Sequence, residues 1–105
     1  MTVNMDKLMK QAQKMQAQIA LAQEELGKSI TEGTAGGGMV KAKANGHGEI
    51  LSVSISPEVV RPDDVEMLED LVLSAVKDAI SKSKEMADKA MSSVTGGMGG
   101  FPGLR

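Results

Sequence analysis

Two groups of lysines carry the chemistry most open to this chain. Lys7, Lys10 and Lys14 fall within about 60° of one another when successive residues are turned by 100°, so on a helix they share one flank. Lys82, Lys84 and Lys89 form a second group, interleaved with Glu85 and Asp88. An ammonium group is a compact charge suited to phosphate oxygens. Several of them in a row bind a polyanion with an affinity that salt erodes. The same spacing also suits a solvated helix face, with lysines and acids paired three or four residues apart. Spacing alone leaves both readings open.

The parts for catalysis are scarce. His47 is the one histidine, and there is no cysteine, so neither a dyad nor a thiolate metal site can be assembled. Asp63, Asp64, Glu66, Glu69 and Asp70 cluster where negative charge favours the start of a helix. Gly36-Gly37-Gly38 and Gly46-x-Gly48 lack a Walker-type lysine and do not lead directly into a helix. The expectation is a protein without catalytic residues, metal, cofactor or small-molecule substrate.

With 105 residues the chain makes one domain with a modest core. Its single aromatic, Phe101, lies in a Gly/Pro-rich stretch, so nine methionines and the aliphatic residues must do the packing. A chain so short of bulky side chains gains by burying apolar surface against a second copy of itself. The net charge is −2 and the pI about 5.3, which excludes a uniformly basic coat protein. The acid is nevertheless concentrated: Glu49, Glu58, Asp63, Asp64, Glu66, Glu69 and Asp70 face only Arg61 between residues 49 and 73. The rest is mildly basic. No stretch approaches the roughly 20 apolar residues of a membrane span. Asp6 and the glutamines stand where a signal peptide would carry its apolar region. A soluble protein that stays in the cytoplasm is expected.

These side chains need elements to position them. A helix is predicted from Asn4, a suitable N-cap, to Leu26, with Gly27 placed as its C-terminal glycine. Met5, Leu8, Ala12, Met15, Ile19, Ala22 and Leu26 alternate steps of three and four, a heptad seam for packing on another helix or across a dimer. Lys28 to Thr34 is a weak strand candidate. Val40, Ala42 and Ala44 alternate with Lys41 and Lys43, and Leu51, Val53 and Ile55 with Ser52, Ser54 and Ser56. Asn45-Gly46-His47-Gly48 between them signals a hairpin, because Asn and Gly tolerate positive φ.

Asp63 and Glu66 resemble a capping box opening a long helix. Its stripe of Leu68, Leu71, Val72, Ala75, Val76, Ala79 and Ile80 suits burial on a sheet. The thinner stripe of Met86, Ala87, Ala90, Met91 and Val94 suits projection or pairing with another helix. Whether this helix is continuous is left open; unbroken, it would be about 46 Å long. The fold class is α+β: an N-terminal helix, a three-stranded antiparallel sheet and a long C-terminal helix. Residues 1–94 form the αβββα domain, and the Gly-rich 95–105 a tail expected to be disordered.

Leu8-Met9-Lys10-Gln11-Ala12-Gln13-Lys14-Met15-Gln16, Gly36-Gly37-Gly38-Met39-Val40-Lys41 and Ile55-Ser56-Pro57, with Gly48 before the third strand, resemble the YbaB/EbfC family. So do Asp64-Val65-Glu66-Met67-Leu68-Glu69-Asp70-Leu71-Val72, Ala75-Val76-Lys77-Asp78-Ala79, Thr95-Gly96-Gly97-Met98 and Pro102-Gly103. The pieces occur in order over nearly the whole chain. The resemblance implies a homodimer with a sheet-centred body and protruding, tweezer-like helices. It also implies double-stranded DNA binding, location at the nucleoid and effects on chromosome organisation and gene expression. By element it assigns DNA contact to the two helices, hence here to Lys7, Lys10, Lys14, Lys82, Lys84 and Lys89. An alternative from the same residues is an adaptor of recombination or replication machinery, using the heptad seam, the methionines or the acidic block at 58–70.

Overall fold

The computed structural model describes residues 4–96. In chain order it comprises α1 (Met5–Lys28), β1 (Ile30–Ala35), β2 (Val40–Asn45), β3 (Ile50–Ile55) and α2 (Val65–Gly96), with short 3-10 turns at Gly36–Gly38 and Pro57–Val59. The strands form one antiparallel sheet in the order β1-β2-β3. This is the predicted α+β arrangement. The long C-terminal helix is one unbroken element of 32 residues, about 48 Å. It takes in Thr95 and Gly96, which were expected to belong to the tail; the rest of that tail, 97–105, lies outside the described residues.

Local chemistry explains the boundaries, and it moves several of them. Asn4 caps α1 as expected, its Oδ1 accepting from Lys7 N at 3.1 Å. Gly27 does not end the helix. The chain stays helical through Lys28, and Ser29 closes it, its N–H donating to the Glu25 and Leu26 carbonyls and its hydroxyl to Glu25 O. At α2 the cap is Asp64, one residue after the expected Asp63: Asp64 Oδ1 accepts from Met67 N.

The hairpin forms, with Gly48 at φ +81 and neither Asn45 nor Gly46 at positive φ. Asn45 organises it instead, Oδ1 accepting from His47 N and Glu49 N while Nδ2 donates to Glu49 Oε1 at 2.6 Å. Gly46 is needed for proximity: its N–H donates to Leu26 O at 2.8 Å, and a Cβ there would stand 2.6 Å from that oxygen. The end of α1 is thereby tied to the β2–β3 turn.

The core is built of small residues. Val40, Ala42 and Ala44 from β2 are buried against Ala75 and Ala79 of α2, so helix and sheet approach closely. Thr31 Oγ1 lies 3.3 Å from the carbonyl oxygens of both Ala44 and Ala79, bridging strand and helix. The buried Ser83 donates to Asn45 O at 2.6 Å. Close approach suits alanine, but it leaves little apolar area per residue for stabilisation.

The molecule measures 77 × 26 × 16 Å with a radius of gyration of 20.5 Å, against about 13 Å for a compact domain of this size. The length comes from the helices. Past the sheet, α2 packs on α1: Met86, Ala87, Ala90, Met91 and Val94 are half-buried, as are Met15, Ile19 and Ala22 of the seam, with Leu26 buried at its base. Leu26 meets the hairpin that Ser83 also contacts, and Gln18 and Leu21 lie beside Ser93 and Val94. The two helices therefore run antiparallel. The seam's other half, Met5, Leu8 and Ala12, is exposed, on a stretch of α1 that overhangs the pair.

α2 lies over β1 and β2 and barely reaches β3. The apolar face expected to be buried on this strand is open: all six β3 residues are exposed, with Leu51 at 52% and Val53 at 42%. A bulge at Lys43/Ala44 also puts Ile50, rather than Leu51, opposite Ala44.

Candidate nucleic-acid interface

α1 delivers the first lysine group as its spacing requires. The helix is continuous from Met5, so Lys7, Lys10 and Lys14 rise over about 10 Å on one flank. That flank is roughly 130° from the seam. All three are exposed, and none is in an ion pair among the described residues. They sit on the overhanging segment, where no side chain among the described residues pairs with them. Three uncommitted ammonium groups on a rigid rod can track a line of phosphates.

α2 treats its lysines differently. Lys82 and Lys89 share a face, where they line a shallow recess with Glu85 and Met86. Lys84 is turned some 140–160° from both, towards the flank that carries Lys77. The second group is thus divided between two sides of the helix. Lys89 stands 3.8 Å from Glu85 with both side chains well exposed, a pairing worth little in water.

Lys82, though exposed, is committed to partners within its own chain. Its Nζ donates to Glu32 O of β1 at 3.0 Å and pairs with Asp78 at 3.1 Å. The spacing could not reveal this, because Glu32 is fifty residues away. Two further lysines escaped the initial set. Lys41 and Lys43 are exposed on the outer sheet face, across from Thr34, Ser54, Glu32 and Ser52. Their alternation with buried alanines was the available signal.

The surroundings of Asp78 favour its charged form. The N–H of Thr34 donates to its Oδ2 at 3.0 Å, and this bond, followed by that from Lys82, lowers its pKa from 3.8. A lowered folded-state value means stabilisation that is present above the ordinary carboxylate range and lost as pH falls through it. Asp78→Asn is therefore expected to lower Tm at pH 7, with the gap to wild type closing towards pH 3. A gap that stays constant across that range would show that the charge of Asp78 does not hold β1.

Among the described residues, no group of three or more His, Cys, Asp or Glu is placed to hold a metal, and no helix is long and apolar enough to cross a membrane. A small sheet, an antiparallel helix pair and an overhanging helix with three exposed lysines on one flank define an extended α+β protein. The chain belongs to the YbaB/EbfC DNA-binding family, whose model matches residues 1–98. A nucleoid-associated protein of Desulforamulus reducens is 56% identical over 101 residues, covering 96% of this chain and 95% of the relative. One from Chloroflexus aurantiacus is 53% identical over 99 residues, covering 94% and 99%. The crystal structure of an uncharacterized protein from Helicobacter pylori shares the fold, with a TM-score of 0.78 at 22% identity over 90% of this chain and all of that one.

Proposed function

We propose that this protein binds double-stranded DNA as a homodimer at the nucleoid, mainly through phosphate contacts, and thereby affects chromosome organisation and gene expression without catalysing a reaction. The observation that carries this reading is the lysine flank on the overhanging part of α1, exposed and outside every ion pair among the described residues, in a member of a DNA-binding family. Lys84 and Lys89 are secondary candidates on α2. Lys82 comes last, because its ammonium is already engaged. With six phosphates neutralised per dimer, affinity for labelled duplex should fall about a thousandfold between 50 and 200 mM salt. Fluorescence anisotropy measures this. No binding at 50 mM on several duplexes would overturn the reading and favour a protein partner for the exposed Met5, Leu8 and Met9.

The second copy belongs at β3. This edge strand exposes Val53 and Ile55, and α2 beside it exposes Leu73 and Ile80. Ile55, Leu68, Val72, Leu73 and Val76, with Glu69 also in the lining, form an open and mainly apolar groove. Monomers rarely leave such a surface in water. No side chain among the described residues caps the outer backbone groups of β3, so strand pairing and apolar burial can proceed together. Val53→Asp places a charge in that contact and is expected to yield a folded monomer by light scattering. It should also weaken DNA binding, because one arm then acts without the other. A Val53→Asp protein with wild-type mass would exclude β3 as the junction.

A further inference from the structure

The sheet has two edges, and they are treated differently. On β1 the outward N–H of Thr34 is taken by Asp78 Oδ2 at 3.0 Å, and the outward carbonyl of Glu32 accepts from Lys82 Nζ at 3.0 Å. The two capping side chains are themselves an ion pair at 3.1 Å, one helical turn apart on α2. Two of the outward main-chain groups at the centre of β1, one donor and one acceptor, are therefore occupied, and two charges stand in the path of an incoming strand. An open edge is a template for further strands, and charged side chains placed along it are one way to refuse them. The exposed Ile30 (59%) makes β1 attractive to such a strand if the charges are removed.

We infer that Asp78 and Lys82 cap the β1 edge against a further copy of this chain, and so hold its assembly to a closed pair. This rests on the reading that β3 joins two copies. Two chains paired at β3 retain two β1 edges facing outward, one at each end of the joined sheet. With both strands of each chain available, every copy would have two self-complementary interfaces and the assembly would have no end. The cap removes one of the two. It also gives Lys82 a use other than phosphate contact.

The test is the mass in solution, by light scattering over a hundredfold range of protein concentration, with circular dichroism to confirm folding. Wild type is expected to hold one mass. Asp78→Ala/Lys82→Ala is expected to grow with concentration well beyond it. Adding Thr34→Pro, which removes the freed N–H, should restore the wild-type mass, since proline at a strand edge denies the partner its donor. Adding Val53→Asp instead should stop growth at a pair joined through β1. Should the double alanine variant fail to fold, Lys82→Met, which keeps the apolar stem and frees only Glu32 O, should still raise the mass measurably. A folded uncapped variant with wild-type mass at every concentration overturns the proposal. If wild type proves monomeric, β3 is not the junction, and growth of the uncapped variant to a dimer still reports on the cap alone.

Discussion

Replacing Lys7, Lys10 and Lys14 with alanine is expected to weaken duplex DNA binding more than about a hundredfold at 50 mM salt while leaving fold and mass unchanged. Each lysine that neutralises a phosphate contributes about 0.9 to the slope of log affinity against log salt. Six such contacts in a dimer make a slope near five, and their removal should flatten it by about that much. The positions are suited to the experiment because all three are exposed and outside every ion pair among the described residues. Alanine is also the best helix former, so α1 should persist. Lys84→Ala/Lys89→Ala, on two different sides of α2, is expected to lose less. Anisotropy titrations at 50, 100 and 200 mM salt read both affinity and slope. A triple variant with unchanged slope would remove α1 from the interface, whatever its absolute affinity.

The difference between the two lysine groups also shows how far a sequence carries an argument of this kind. Lys7, Lys10 and Lys14 were legible because a helical wheel places them correctly whenever the helix is continuous, and α1 is. The same reasoning covers the packing of Met15, Ile19, Ala22 and Leu26 and the alternation of β2, which follow from periods of 3.6 and 2, while the antiparallel pairing of β2 and β3 follows from the short Asn-Gly connection. Lys82 was not legible, because its role depends on a carbonyl fifty residues away. Nor was the open apolar face of β3, since alternation reports which side is apolar but not what covers it. Smaller departures share one cause. Gly27 remains helical and Gly46 keeps negative φ, because each is placed by what packs against it rather than by the turn chemistry glycine usually signals.

Gly33 takes that principle to its largest consequence, and Gly33→Ala is expected to be the most destabilising single methyl that can be added to the described fold. Gly33 is buried in the middle of β1, pairing with Ala42, and its missing side chain is where α2 crosses the strand. A Cβ there would collide with the backbone N of Ala79 and O of Ala75, and would stand 2.8 Å from Ala79 Cα. Backbone cannot step aside as a side-chain tip can. The helix must lift from the sheet, opening the contact of Ala75 and Ala79 with Val40, Ala42 and Ala44 that is the core itself. Overpacking costs about 1–3 kcal/mol and occasionally more; with main chain as the obstacle the upper end, about 3 kcal/mol, applies, a fall in Tm of roughly 12–24 °C for a domain of this size. Two comparisons isolate the cause. Gly37 has φ +67 and open space around it, so Gly37→Ala bears only a left-handed backbone cost of about 1–2 kcal/mol. Ala79→Gly added to Gly33→Ala should give no rescue, because the obstructing atoms are main chain, and it carries its own helix penalty of about 1 kcal/mol. Recovery of Tm in that double variant would mean that the methyl of Ala79, and not the close passage of the helix backbone, excludes a side chain from position 33.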